Sequence, residues 1–83
     1  MPDEKSIVVV ELRFVEEHYL PAKGLVHEVQ VIKYLYDHDS KVVTRVWGDN
    51  SDRQVVVAKV DDMHRAIQRA LWDVKRMIEA WIG

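Results

Sequence analysis

The C-terminal segment decides the fold: residues 61–83 read DDMHRAIQRALWDVKRMIEAWIG. Apolar residues recur in it at steps of three and four, the pattern of one face of an α-helix of about 20 residues. They are Met63, Ile67, Ala70, Leu71, Val74, Met77, Ile78, Trp81 and Ile82. Asp61 or Asp62 offers a short acceptor side chain for the first free amides. We therefore predict a helix that begins near Asp61 and lays this stripe on the rest of the chain.

Upstream of the helix, the chain alternates between β-branched or aromatic runs and polar loop signals. The loop signals are residues 17–24, 37–40 and 48–52, which are rich in Gly, Pro, Asn, Asp and Ser. The runs between them are residues 7–16, 25–36, 41–47 and 53–60. In the first run Val8, Val10, Leu12 and Phe14 form one apolar face at period two, which is typical of a half-buried strand.

Short loops between successive strands favour antiparallel hairpins. We therefore predict one α+β domain over residues 1–83. It is a four-stranded antiparallel β-meander followed by one long C-terminal amphipathic helix packed on one sheet face, in the order ββββα.

Composition excludes several classes of protein. With 83 residues and no cysteine, the chain has no disulfide, thiol nucleophile or cysteine metal site. The apolar run at residues 7–10 is too short for a signal sequence, and no run approaches the roughly 18–20 residues of a membrane span. We expect a soluble cytoplasmic protein without a membrane partner. Twelve basic and fourteen acidic residues give a net charge of −2, which disfavours a dedicated nucleic-acid binder.

Catalytic and metal-binding motifs are missing from the sequence. The four histidines stand at no metal-ligand spacing, and there is no HExxH or CxxC motif. The three glycines are far apart, so no phosphate loop is present. We expect no catalytic residue, no metal and no cofactor, and hence a protein that is not an enzyme.

A second stripe runs along the predicted helix, opposite the apolar one. It consists of Arg65, Arg69, Trp72 and Arg76, at positions i, i+4, i+7 and i+11. Its simplest interpretation is a solvated helix face with one Trp covered by arginine stems. A second is a protein-binding surface anchored by Trp72, because Trp and Arg are enriched at binding hot spots. A third is a nucleic-acid contact, with arginines on phosphates and Trp72 on a base.

The sequence does not fix the strand register, but several apolar residues are left over for the sheet face that the helix does not cover. That face is either a mixed surface, a self-association surface, or a base-stacking surface built from Tyr34, Tyr36, Arg45 and Trp47.

These observations predict a small non-catalytic binding or regulatory protein that acts through protein–protein contacts, as a homodimer. The alternative is a single-stranded nucleic-acid-binding protein that uses the sheet face or the Arg/Trp stripe. A further alternative, based on size and the lack of motifs, is a virus- or phage-encoded inhibitor of a host protein.

Overall fold

The computed structural model describes residues 6–48 and 54–82. One antiparallel sheet with the strand order β1-β2-β3-β4 is followed by one helix, which confirms the predicted ββββα order. The elements are β1 (Ser6–Leu20), β2 (Gly24–Asp37), β3 (Val42–Trp47), β4 (Gln54–Lys59) and α1 (Met63–Ile82).

The first hairpin is longer than the sequence predicted. The loop expected at residues 17–24 is mostly strand, since Glu17 pairs with His27 and Tyr19 with Leu25. Only a tight turn is left, closed by a 3.1 Å bond from the Lys23 amide to the Leu20 carbonyl. Residues 17–20 include no turn-forming residue, and cross-strand partners are available to them. The hairpin therefore extends as an arm past the shorter β3, and the molecule is 49 Å long but only 16 Å thick.

The second loop signal is confirmed as a turn. The Asp37 carboxylate oxygen Oδ1 accepts hydrogen bonds from the amides of Asp39 (2.8 Å) and Ser40 (3.3 Å). This side-chain mimic of a backbone turn is the usual reason for Asp at such a position. The third loop signal lies outside the described residues, apart from Gly48.

Two bulges set which side chains face the helix. β1 contains an extra residue at Val9, so Ile7 lies opposite Tyr36 while Val8 lies opposite Leu35 on the other face. The prediction that Val8 shares the face of Val10 and Leu12 is therefore wrong, and Val8 is exposed. The second bulge is at Val57 in β4. A one-residue insertion reverses the side-chain alternation on one side of it, and no local sequence signal marked either position.

The core lies between the sheet and α1. Its fully buried residues are Ile32, Tyr34, Tyr36, Val43, Ala66 and Ala70. At the far end of α1, Trp81 packs on Phe14 and Trp47, with ring centroids 5.2 and 6.1 Å apart. The helix therefore runs along the sheet, from the β4 end at Val60 towards the base of the arm.

The helix begins as the sequence predicted. Asp62 Oδ1 accepts a 2.8 Å hydrogen bond from the Arg65 amide, which is the N-cap contact. The predicted apolar stripe is covered only in part, because Leu71, Ile78 and Ile82 are exposed. The helix is rotated so that Asp73, between Ala70 and Met77 on the same face, lies over the sheet.

Candidate functional site

The strongest candidate site is a Trp between two arginines on the flank of α1. The guanidinium carbon of Arg69 lies 5.2 Å from the centroid of the Trp72 ring, and that of Arg76 lies 5.6 Å away. Half of Trp72 (51%) is exposed. We call Arg69, Trp72 and Arg76 the Arg–Trp patch.

Helical geometry places these three side chains together. Arg69 is three residues before Trp72, and Arg76 is four residues after it, so all three lie on one flank over two turns. The helix has only one Trp on this flank, and its ring lies too far round the helix to reach the core. Each arginine therefore covers part of the ring, while the remainder faces solvent.

The Arg–Trp patch borders the edge strand β4. Its residues line a shallow depression that is open to solvent, together with Asp73 and Val57. The sequence placed the stripe opposite the apolar face of the helix. The structure places it instead on the β4 side, next to the sheet edge.

Arg65 does not belong to this cluster. Its guanidinium lies 3.9 Å from Asp62 Oδ2, at the first turn of the helix. By contrast, across residues 6–48 and 54–82 no ion pair joins a carboxylate to Arg69 or Arg76. Among the described residues, the guanidinium groups of Arg69 and Arg76 are therefore not ion-paired with any carboxylate.

A polar network fixes the helix beneath the Arg–Trp patch. Asp73 Oδ2 accepts a 2.6 Å hydrogen bond from the Tyr34 hydroxyl and a 2.7 Å bond from Arg45 Nη1. The Arg45 and Asp73 side chains are only 24% and 23% exposed. Because Asp73 follows Trp72 directly, this network fixes the rotation of the helix and hence the direction of the Trp72 side chain.

The network also alters the acid–base properties of its members. Burial, followed by the hydrogen bond to Asp73, raises the pKa of the Tyr34 hydroxyl well above its usual range. Desolvation works to lower the pKa of Arg45, but its bond to Asp73 and the Asp73 charge outweigh that effect and the pKa is raised. Tyr34 therefore stays a neutral donor and Arg45 a cation at neutral pH.

Sequence reasoning missed the role of Asp73, although a signal was present. A charged residue on the apolar stripe, one turn from Ala70 and from Met77, needs a partner under the helix. Tyr34 and Arg45 are opposite each other on β2 and β3 and supply it.

The four residues predicted as a stacking surface lie on the helix side of the sheet. Tyr34 and Tyr36 are fully buried there, so the prediction that they present an open contact surface is corrected. Arg45 is held by Asp73, and Trp47 packs edge-on against Phe14 at 5.9 Å. Because side chains alternate along β2, Tyr34 and Tyr36 lie on the same face, under α1. The sequence did not fix the strand register, so it could not predict which face they occupy.

Three potential metal ligands meet on the arm, a cluster that sequence reasoning also missed. His18 Nε2 lies 3.2 Å from Glu16 Oε2 and 3.3 Å from Glu28 Oε2. One ligand atom of each residue lies within 4.8 Å of the others. The cluster could hold a divalent ion. His18 and Glu28 are exposed and Glu16 is partly buried, and the His18 ring nitrogen already lies within 3.3 Å of both carboxylates. Its members became neighbours only because residues 17–20 are strand.

Comparison of the chain with protein-family models, with curated proteins and with solved structures finds no match. Within residues 6–48 and 54–82, no helix has the length and apolar character needed to cross a membrane. The chemistry of the Arg–Trp patch is therefore the main guide to function.

Proposed function

We propose that this chain is a small non-catalytic binding protein, working as a homodimer in the cytoplasm, that holds a protein partner at the Arg–Trp patch. The observation that carries the proposal is the half-exposed Trp72 ring, held between two guanidinium groups. Trp and Arg are the residue types most enriched among those that dominate binding energy.

Pre-organisation supports a binding role over a merely solvated surface. Ordering a long flexible side chain on binding costs about 0.5–1.5 kcal/mol. Arg69 and Arg76 are already stacked on Trp72, and the Asp73 network fixes the helix below them. The arginine side chains therefore have less conformational freedom to lose when a partner binds.

The patch also indicates the chemistry of the partner. Its two guanidinium groups favour carboxylates, which they can bind through paired hydrogen bonds. The ring and the nearby Val57 favour an apolar side chain. We therefore propose an acidic segment that carries at least one aliphatic or aromatic residue.

Single-stranded nucleic acid is the second candidate, and the same three side chains favour it. A base can stack on Trp72 while phosphates meet Arg69 and Arg76. The overall charge of −2 and the burial of Tyr34 and Tyr36 weigh against it. We rank it below a protein partner for these two reasons.

Phage-displayed random peptides, selected on the immobilised wild-type protein, test the proposal. We expect enriched peptides to be acidic with an apolar residue, and to lose binding to the Trp72→Ala/Arg69→Glu double variant. The matched control is Lys75→Glu, which makes the same charge reversal on this helix at a residue paired with Glu79 instead of Trp72. The control should bind the peptides much as the wild type does.

Two results would count against the proposal. One is enrichment of peptides that bind the double variant unchanged, which would make the patch ordinary solvated surface. The other is binding of labelled oligonucleotides that weakens steeply with added salt and is lost in the double variant, which would favour the nucleic-acid alternative.

A further inference from the structure

The outer edge of β1 is the most prominent unused feature of the fold. β1 spans Ser6–Leu20 and, within the described part of the chain, pairs with β2 alone. The opposite edge strand, β4, has only six residues and a bulge at Val57. Shortness and bulges are common protections of a sheet edge. The bulge of β1 lies near its start, at Val9, and from Val10 to Leu20 the strand pairs without interruption. This long uninterrupted stretch is a template for another strand.

Core residues along β1 are left half-covered. Val10, Leu12 and Phe14 pack against the buried cluster, yet each keeps part of its surface open beside the free edge. The β1 side of α1 is apolar as well, because Leu71 (53% exposed) and Ile78 lie on the flank away from β4. A strand added at this edge would extend an existing core.

We propose that a second copy of this chain occupies the edge, with the two β1 strands antiparallel about a two-fold axis at Leu12. The product is a continuous sheet of eight strands, four from each copy, with both helices on one face. This inference rests on the homodimer in the proposed function and specifies its interface. It leaves the Arg–Trp patches, which border β4, at the two outer ends of the dimer.

Charge complementarity selects the register. Within one chain, Arg13 Nε already lies 3.0 Å from Glu11 Oε2. With the axis at Leu12, Glu11 also lies opposite Arg13 of the partner subunit, so the two intrachain pairs join into one cluster of four alternating charges. On the helix side, Leu12 meets its own copy and Val10 meets Phe14 of the partner subunit. Opposite charges and apolar pairs directly across strands both stabilise a sheet.

Neighbouring registers lack this match. An axis at Glu11 or at Arg13 places like charges opposite each other, and an axis at Phe14 places Glu11 opposite Glu17 of the partner subunit. An axis at Val15 pairs Arg13 with that Glu17 but sets Glu16 against Phe14. That last contact would place the Glu16 carboxylate against Phe14, which packs on Trp47 and Trp81.

Charge reversals at Glu11 and Arg13 test both the dimer and its register. Both side chains are accessible in the single chain, at 35% and 71% exposure, so their reversal should spare the fold. Sedimentation equilibrium should show a wild-type dimer, and Glu11→Arg or Arg13→Glu should each raise its dissociation constant by about tenfold or more. The double variant, with both charges exchanged, should recover wild-type association.

Mixing the two single variants gives the sharpest result. One variant then carries two positive charges and the other two negative charges at the joint, so they should form heterodimers in preference to either homodimer. Glu17→Arg is the matched control, because Glu17 lies five residues from Leu12 along β1, at the periphery of the proposed interface. Melting curves of each variant show whether the fold is intact.

The outcomes separate the two proposals. A wild-type protein that is monomeric at every concentration overturns the homodimer, while peptide selection still reports on the Arg–Trp patch. A dimer that ignores Glu11→Arg and Arg13→Glu, or that is broken by Glu17→Arg, overturns the β1 joint centred on Leu12.

Discussion

The Tyr34 hydroxyl donates a 2.6 Å hydrogen bond to Asp73 Oδ2 and so joins the centre of the sheet to the middle of the helix. Arg45 donates to the same oxygen at 2.7 Å. This contact explains why the helix presents Asp73 to the sheet, leaves Leu71 exposed, and turns Trp72 towards β4.

Removal of the Asp73 carboxylate should cost far more stability than removal of an exposed carboxylate on the same helix. Asp73→Ala leaves the Tyr34 hydroxyl and the Arg45 guanidinium without an acceptor in a largely buried site. We expect the free energy of unfolding to fall by about 2–3 kcal/mol, as measured by urea denaturation. Glu79→Ala, on the same helix and in an exposed pair with Lys75, should cost at most about 0.5 kcal/mol. Equal costs for the two variants would contradict a locking role for Asp73.

Tyr34 should make stability fall at alkaline pH. Burial and the Asp73 hydrogen bond raise its pKa in the folded state, so folding favours the neutral hydroxyl. That contribution is complete below the ordinary tyrosine pKa of about 10 and is lost as the pH rises towards the folded value. In an ultraviolet titration, Tyr34 should ionise above the ordinary tyrosine range, and Tyr34→Phe should remove this late component. The idea fails if the wild type and Tyr34→Phe lose stability equally above pH ~10.

Trp47 and Trp72 should differ sharply in their effect on stability. Trp47 packs edge-on against Phe14 and Trp81, and its Nε1 donates to Gln30 Oε1 at 3.4 Å. We expect Trp47→Ala to destabilise by about 2–4 kcal/mol. Trp72→Ala loses only an exposed ring and its arginine contacts, so its cost should stay near 1 kcal/mol or below. Thermal denaturation of the two variants measures the difference, and a Trp72→Ala cost as large as that of Trp47→Ala would assign Trp72 a structural role.

Local sequence patterns were sufficient to predict the structure wherever it is controlled by residues close together in the chain. The spacing of apolar residues after Asp62 and the N-cap side chain predict α1 closely, since both act within one or two helical turns. The turn at Asp37 follows from a side chain that bonds amides two and three residues ahead. The number of strands and their order follow from short connections between β-rich runs.

Long-range relationships needed the tertiary structure. Residues 17–20 are strand because their partners lie across the hairpin, and this pairing also assembles Glu16, His18 and Glu28. The grouping of Arg69 and Arg76 around Trp72 was readable from helical spacing. The pairing of Arg65 with Asp62, three residues earlier, is also local, but the stripe pattern alone did not separate Arg65 from the other two arginines.

The sequence by itself determined the ββββα order, the start of the helix and the residues of the Arg–Trp patch, because these depend on periodicity and on contacts close along the chain. Only the tertiary structure decided which faces these residues occupy. Single-residue bulges at Val9 and Val57 reverse the alternation of their strands, and the Asp73 contact with Tyr34 and Arg45 fixes the rotation of the helix. Both depend on contacts between residues far apart in the chain, which local periodicity does not encode.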